Sequence, residues 1–317
     1  NFDEYYQRAH IEKVKAAFGE WVTWDVFSPR VSGYYYNREL LAQVGFDGPP
    51  QTFDEFFQLA EALDAAGITP VGMMTGENGW ATSFWYQALV ASHSAEGFEM
   101  VSGEPVLDQF TSEPFRWASE RIKTIINEYA NQDAIGASYE ILASQMFNGD
   151  MAMLANGPWM AAEYFDPDKV GDASFGDQIG YAPFPGNPPV AIGDSALDFS
   201  GPMVAPNGED KQLGAMLFWG IDLQPRSMET AATNLGWFVD AYEYPQEVID
   251  SNPLVGELNR SINEWDAELL PWFYTVWSNS VIADGMTRNM DLYAADRITL
   301  DEYVQNVQEF ADAVEQE

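Results

Sequence analysis

Between residues 51 and 74 the apolar positions change period. Phe53, Phe56, Phe57, Ala60 and Leu63 recur at helical spacing, and Ile68 to Met74 is a short apolar run suited to a buried strand. Thr52 with Glu55 three residues later predicts a capping box at the start of that helix, and Gly67 predicts its end. The same alternation returns further on. Phe115, Ala118, Ile122, Ile125 and Tyr129 mark a helix over 113–129. Ser138 predicts the cap of a helix through Phe147, and Asn148-Gly149 predicts a tight turn into a strand over 151–155. Asn156-Gly157-Pro158 turns the chain again, with Pro158 suited to the first position of a new helix. Strands are expected at 179–182 and 203–205, separated by a Pro-rich loop at 183–189, and a helix at 210–223. Near the end, Thr299 and Glu302 predict a second capping box, with Tyr303, Val307, Phe310 and Val314 as the inner stripe of the last helix.

Helices alternating with short buried strands imply an α/β architecture with mostly parallel sheets. No repeat of 20–50 residues and no low-complexity linker divides the chain. Two lobes would therefore require several crossings between them. A hydrophobic fraction of 46% over 317 residues fills a core of one large domain or two ordinary lobes.

Charge narrows the partners. Asp and Glu total 50 against 14 Lys and Arg, a net charge of −36. Such a surface repels phosphate backbones and anionic membranes, so no nucleic acid is expected as a partner. The acidity suits either an ordinary solvated exterior or a saline habitat, and composition leaves both open. There is no Cys, which removes disulfides and thiolate chemistry, and only two His, His10 and His93. No run of about 18 apolar residues is present to span a bilayer. Phosphate-binding glycine motifs, a nucleophile elbow and a Ca²⁺ loop are likewise missing, and no cofactor or metal is expected. Pairs of carboxylates could hydrolyse glycosides, but with 50 acids such pairs are inevitable.

The aromatic content is high, with 11 Trp, 15 Tyr and 20 Phe. Several Trp sit beside turn residues: Trp80 after Glu77-Asn78-Gly79, Trp159 after Asn156-Gly157-Pro158, Trp237 after Gly236 and Trp272 after Pro271. An indole at the mouth of a turn can offer one face to a ligand while its edge stays packed. Sugar rings present apolar faces to such platforms, and their hydroxyls need side chains that donate and accept. Trp117 and Trp219 lie within helical stripes and belong to the core.

The run Tyr34-Tyr35-Tyr36-Asn37-Arg38-Glu39-Leu40-Leu41, then Gly45, then Pro50-Gln51-Thr52-Phe53-Asp54-Glu55-Phe56, resembles the signature of bacterial extracellular solute-binding proteins of the sugar type. Ala65-Ala66-Gly67-Ile68-Thr69-Pro70, Phe147-Asn148-Gly149-Asp150-Met151-Ala152-Met153 with Asn156-Gly157-Pro158-Trp159, the strand at 180–185, and Ile298-Thr299-Leu300-Asp301-Glu302-Tyr303 continue the resemblance in order. It covers about residues 30–317.

The resemblance implies the two-lobe periplasmic-binding-protein type II fold, an α/β architecture with hinge strands, in which a carbohydrate is held between the lobes and delivered to the permease subunits of an ABC importer. It implies residues 1–32 and 198–250 as the remainder of the N-terminal lobe, and 33–197 and 251–317 as the C-terminal lobe. Only 33 residues precede Tyr34, fewer than the family carries there, so the first lobe is expected to be incomplete and the export signal to lie outside this chain. The expected protein is a monomer outside the cytoplasm, free in the periplasm or lipid-anchored, and is not an enzyme. Implied ligand contacts are Trp159 and Trp80 as stacking faces, Asn156 in the same turn as Trp159, Arg30 and Ser32 before the Tyr run, Asp194 and Ser195 before the second hinge crossing, and Trp237, Trp272 and Tyr274. Two alternatives stay open. One is a receptor of the same fold for a polyol phosphate, a polyamine or iron, the last suggested by Tyr34-Tyr35-Tyr36 although only Tyr34 and Tyr36 would share a face of a strand. The other is a two-carboxylate glycoside hydrolase.

Overall fold

Helices and strands follow one another along the whole described chain, and the local signals explain most of their boundaries. The structure, a computed structural model, describes residues 31–103, 107–193, 224–235, 244–278 and 280–314. The expected strand 203–205 and helix 210–223, and all but residues 31 and 32 of the segments 1–32 and 198–223, lie outside the described residues. The strands are β1 (Gly33–Asn37), β2 (Thr69–Gly72), β3 (Met151–Asn156), β4 (Ile179–Ala182), β5 (Val190–Ile192) and β6 (Glu268–Leu270). The helices are α1 (Arg38–Gln43), α2 (Phe53–Ala65), α3 (Trp80–His93), α4 (Ala95–Ser102), α5 (Glu113–Thr124), α6 (Tyr139–Phe147), α7 (Pro167–Val170), α8 (Pro225–Leu235), α9 (Gln246–Asp250), α10 (Pro253–Glu264), α11 (Phe273–Trp277), α12 (Arg288–Ala294) and α13 (Leu300–Val314).

Both capping boxes form. Thr52 Oγ1 accepts from the Glu55 amide while Glu55 accepts from the Thr52 amide, and Thr299 and Glu302 repeat the exchange ahead of α13. Ser138 does occupy the cap of α6, but its side chain makes no capping bond. The stripe of α5 is buried as its spacing implies, and the helix passes into a π-helical turn at Ile125–Tyr129.

The main sheet has the order β2-β3-β1-β4. It corrects the expectation of mostly parallel pairing: β2 and β3 are parallel, but β1 runs antiparallel to both β3 and β4. The β2–β3 pair is joined by a long helical crossover, which parallel neighbours need. β1 instead enters the sheet from residue 32 and runs against both neighbours. Ser32 itself bridges Ile192, with backbone bonds of 2.6 and 3.0 Å, and the Gly193 amide reaches the Leu270 carbonyl at 3.0 Å. Three segments distant in sequence, at Ser32, at 190–193 and at β6, thus run side by side.

Alternation along β1 builds two cores. Tyr34 and Tyr36 point to one face with residues of α2, α3, α5 and α13. Tyr35 points to the other, with Leu142 and Met146 of α6, Tyr164, Tyr181, and Leu254 and Leu258 of α10. All three Tyr are buried and their hydroxyls are occupied: Tyr34 donates to the Pro50 carbonyl, Tyr35 to the Gly157 carbonyl and Tyr36 to Glu257. Helix α8, counted by its position in the sequence with the N-terminal lobe, packs on the turn Pro158–Phe165 and on α9.

Candidate ligand-binding site

At one end of this sheet, turns leaving β3, β2 and β6 converge and bring aromatic residues together. β3 ends at Asn156, and a 3-10 turn over Pro158–Phe165 begins with Pro158 and Trp159. After β2, the turn Glu77–Gly79 leads into α3, whose first residue is Trp80. β6 runs through Pro271 to Trp272, just before α11.

The three indoles form a row. Trp80 and Trp159 have ring centroids 6.3 Å apart at 57°, and Trp159 and Trp272 are 6.2 Å apart at 60°. Tyr274 extends one end, 6.5 Å from Trp272, and Tyr139 the other, 5.7 Å from Trp80. All five are half-buried. Behind them lies the sealed ring of Phe84, met edge-on by Trp80 and by Trp272. The row is therefore a packed aromatic surface that stays partly exposed, as a stacking platform requires.

Its supports come from the core. Tyr35 and Tyr181 stack face to face at 4.0 Å, and their hydroxyls hold the carbonyls of Gly157 and Asn156 at 2.9 and 2.8 Å. A Cβ on Gly157 would run into the Trp159 ring, so glycine there lets the indole fold back over its own turn. Gln87, buried in α3, donates to the carbonyl of Pro271 at 2.9 Å and fixes the approach to Trp272. Burial, followed by the charge of Glu163, pushes the Tyr139 phenol up to about 12. Burial also raises Tyr274. Both remain protonated donors at neutral pH. Among the described residues no group of His, Asp or Glu is placed to hold a metal ion, and no helix is long and apolar enough to cross a membrane.

Residues 12–218, well over half of the chain, match the family described as bacterial extracellular solute-binding protein. The chain belongs to this family. Over 180 residues it is 27% identical to a multiple sugar-binding protein of Streptococcus mutans, a match covering 54% of this chain and 41% of that protein. The chain thus aligns with well under half the length of the curated relatives it matches. Among solved structures, a chitin oligosaccharide binding protein superposes with a TM-score of 0.73 at 20% identity, covering 95% of this chain and 77% of the other. A Streptococcus pneumoniae solute-binding protein, solved with the blood group A-trisaccharide, gives a TM-score of 0.71 at 17% identity over 99% of this chain and 74% of its own. These likenesses carry the fold, the α/β two-lobe solute-binding type.

Of the ten side chains singled out in this solute-binding protein, the structure brings Trp80, Trp159, Trp272 and Tyr274 into one row. Asn156 and Ser32 are placed differently. Both are fully buried, and neither offers a face to a solute in this structure. The Asn156 Oδ1 accepts the Gly157 amide at 2.8 Å, so the residue serves the turn that carries Trp159. Arg30, Asp194, Ser195 and Trp237 lie outside the described residues. Sequence reasoning missed Tyr139, Phe84 and Gln87. Tyr139 follows the cap of α6 and had a positional signal; Phe84 and Gln87 sit in an apolar helix without one.

Proposed function

We propose that this chain holds a carbohydrate outside the cytoplasm and passes it to the permease subunits of an ABC importer. The observation that carries this is the row Trp80–Trp159–Trp272, three half-buried indoles at 6.2–6.3 Å spacing with a common backing. A sugar ring lies with its apolar face on Trp159, the central member, and neighbouring rings of an oligosaccharide reach Trp80 and Trp272. Hydroxyls are met by polar groups, for which Arg30, Asp194 and Ser195 are the candidates from the sequence, with Trp237 as a further stacking face. An extended platform favours an oligosaccharide over a single sugar. The neighbour that binds chitin oligosaccharide and the relative that binds multiple sugars support the same ligand class.

The protein works as a monomer whose lobes close on the sugar, since contacts made only in the closed form shift the population toward it. The lobes are assigned as 1–32 with 198–250 and 33–197 with 251–317. The occupied hydroxyls of Tyr34, Tyr35 and Tyr36 speak against an iron site in that run.

A thermal-shift screen of mono- and oligosaccharides tests the reading, because a ligand that binds only the folded state raises its stability by mass action. Selective stabilisation by oligosaccharides is expected, with the sugar recovered unchanged. Release of new reducing ends would favour the hydrolase instead, and stabilisation only by polyol phosphates or polyamines would favour a different solute.

A further inference from the structure

The turn that aims Trp80 is backbone that L-residues rarely adopt. Glu77, Asn78 and Gly79 follow one another at φ 51°, 64° and 60°. Two of the three carry a Cβ, for which this left-handed region is costly. Helix α3 then starts at Trp80 on Gly79, with no side-chain cap to fix its direction. Something outside the turn must hold it.

On one side stands the α6 approach. The Gly76 amide donates to the Ala137 carbonyl at 3.0 Å, the Gly136 amide to Thr75 Oγ1 at 2.8 Å, and the Tyr139 amide to Glu77 Oε2 at 3.3 Å. On the other side stands a second π-helical turn, Val281–Thr287, more than two hundred residues away in sequence. Such turns are rare and commonly mark functional positions. Its last residue, Thr287, places Oγ1 at 3.2 Å from the Asn78 carbonyl and at 2.8 Å from the Ile282 carbonyl, one proton between two acceptors. Thr287 also fills the space beside Gly79. A Cβ there would sit 2.8 Å from Oγ1 and 3.1 Å from Cγ2.

We propose that Thr287 is a positioning residue for Trp80: its hydroxyl and methyl hold the left-handed turn Glu77–Gly79 and so set the direction in which α3 begins and the indole faces. Were the turn to relax toward right-handed backbone, the first residue of α3 would swing and the contact of Trp80 with Trp159 would open. The consequence for sugar binding rests on the platform reading; the geometric claim does not.

The test uses the whole chain labelled with ¹⁵N-tryptophan, the Trp80 indole resonance being assigned with Trp80→Phe. Thr287→Val keeps the shape and removes the donor. In the ligand-free protein it is expected to shift the Trp80 resonance and to speed amide exchange over 78–82 about fivefold, the loss of one net hydrogen bond. The melting temperature should hold, as should the resonances of indoles outside the row such as Trp85, while Trp159 beside Trp80 should move with it. Thr287→Ser restores the hydroxyl and should restore both readouts. Gly79→Ala, which closes on Thr287, should disturb Trp80 independently. An unmoved Trp80 resonance in both Thr287→Val and Gly79→Ala overturns the proposal, as does Thr287→Ser behaving like Thr287→Val. Chitotriose titration separates the two claims. Weaker binding by Thr287→Val extends the role to the site. A Trp80 shift in a protein that ignores chitotriose and every other oligosaccharide sinks the platform reading and leaves the positioning role standing.

Discussion

Trp80 and Trp85 lie five residues apart on α3 and do opposite things. Trp85 is wholly sealed, with the rings of Tyr34, Phe56 and Phe184 each at 5.1 Å, and its indole N–H finds no acceptor among the described residues. Trp80 sits at the helix start, half-buried, with Trp159 and Tyr139 as neighbours. The first spends its whole surface on cohesion. The second stays partly exposed, in a row with two other indoles. Residue type does not distinguish them; position relative to the sheet end does. Phe84 mediates between the two populations, since it backs Trp80 and Trp272 and also stacks on Phe184 of the core.

The sealed set should fail first when its members are forced to ionise. Burial holds the phenols of Tyr34, Tyr35, Tyr86 and Tyr164 well above their ordinary value, and it also raises Tyr181 and Tyr303. A group whose folded pKa is raised gives stability that is complete below its unfolded pKa and is lost as pH climbs toward the folded one. The fold should therefore hold up to about pH 10 and then lose cooperativity steeply, read by circular dichroism against pH. A fold unaffected well above that pH would contradict the burial.

Single substitutions divide the two sets more finely. Trp85→Ala should cost about 3–5 kcal/mol of stability, measured by denaturant unfolding, because it leaves a large cavity in the core. Trp159→Ala should reverse the pattern, with a small effect on stability and a loss of about 2 kcal/mol or more of sugar binding by calorimetry. Equal effects of the two on stability would erase the comparison. Thr52→Ala, at a helix start that belongs to neither set, should cost about 1 kcal/mol through its lost cap and leave binding alone.

What was legible in the sequence was local. The capping boxes of Thr52 and Thr299 depend on residues three apart, and the Asn-Gly-Pro-Trp turn carries its own signal, so their geometry could be read directly. The direction of β1 was not legible, because it depends on how the chain enters the sheet and not on the Tyr run itself. Ser32 and Asn156 were expected at the site for their positions, beside the Tyr run and in the turn of Trp159, but both are buried: the backbone of Ser32 pairs with Ile192 and Asn156 ties its own turn. Tyr139, Gln87 and Thr287 escaped for the opposite reason. Each acts on a residue far away in sequence, namely Trp80, Pro271 and Asn78, and only folding makes those pairs neighbours.

The central claim is that the indole row is the ligand platform, and one titration bears on it most directly. The oligosaccharide that most raises the melting temperature is titrated calorimetrically into the wild-type chain and into Trp159→Ala. The platform predicts saturable binding to the former and affinity weaker by about thirtyfold or more in the latter, with both proteins equally folded. Equal affinity for the two would place the sugar elsewhere and contradict the account.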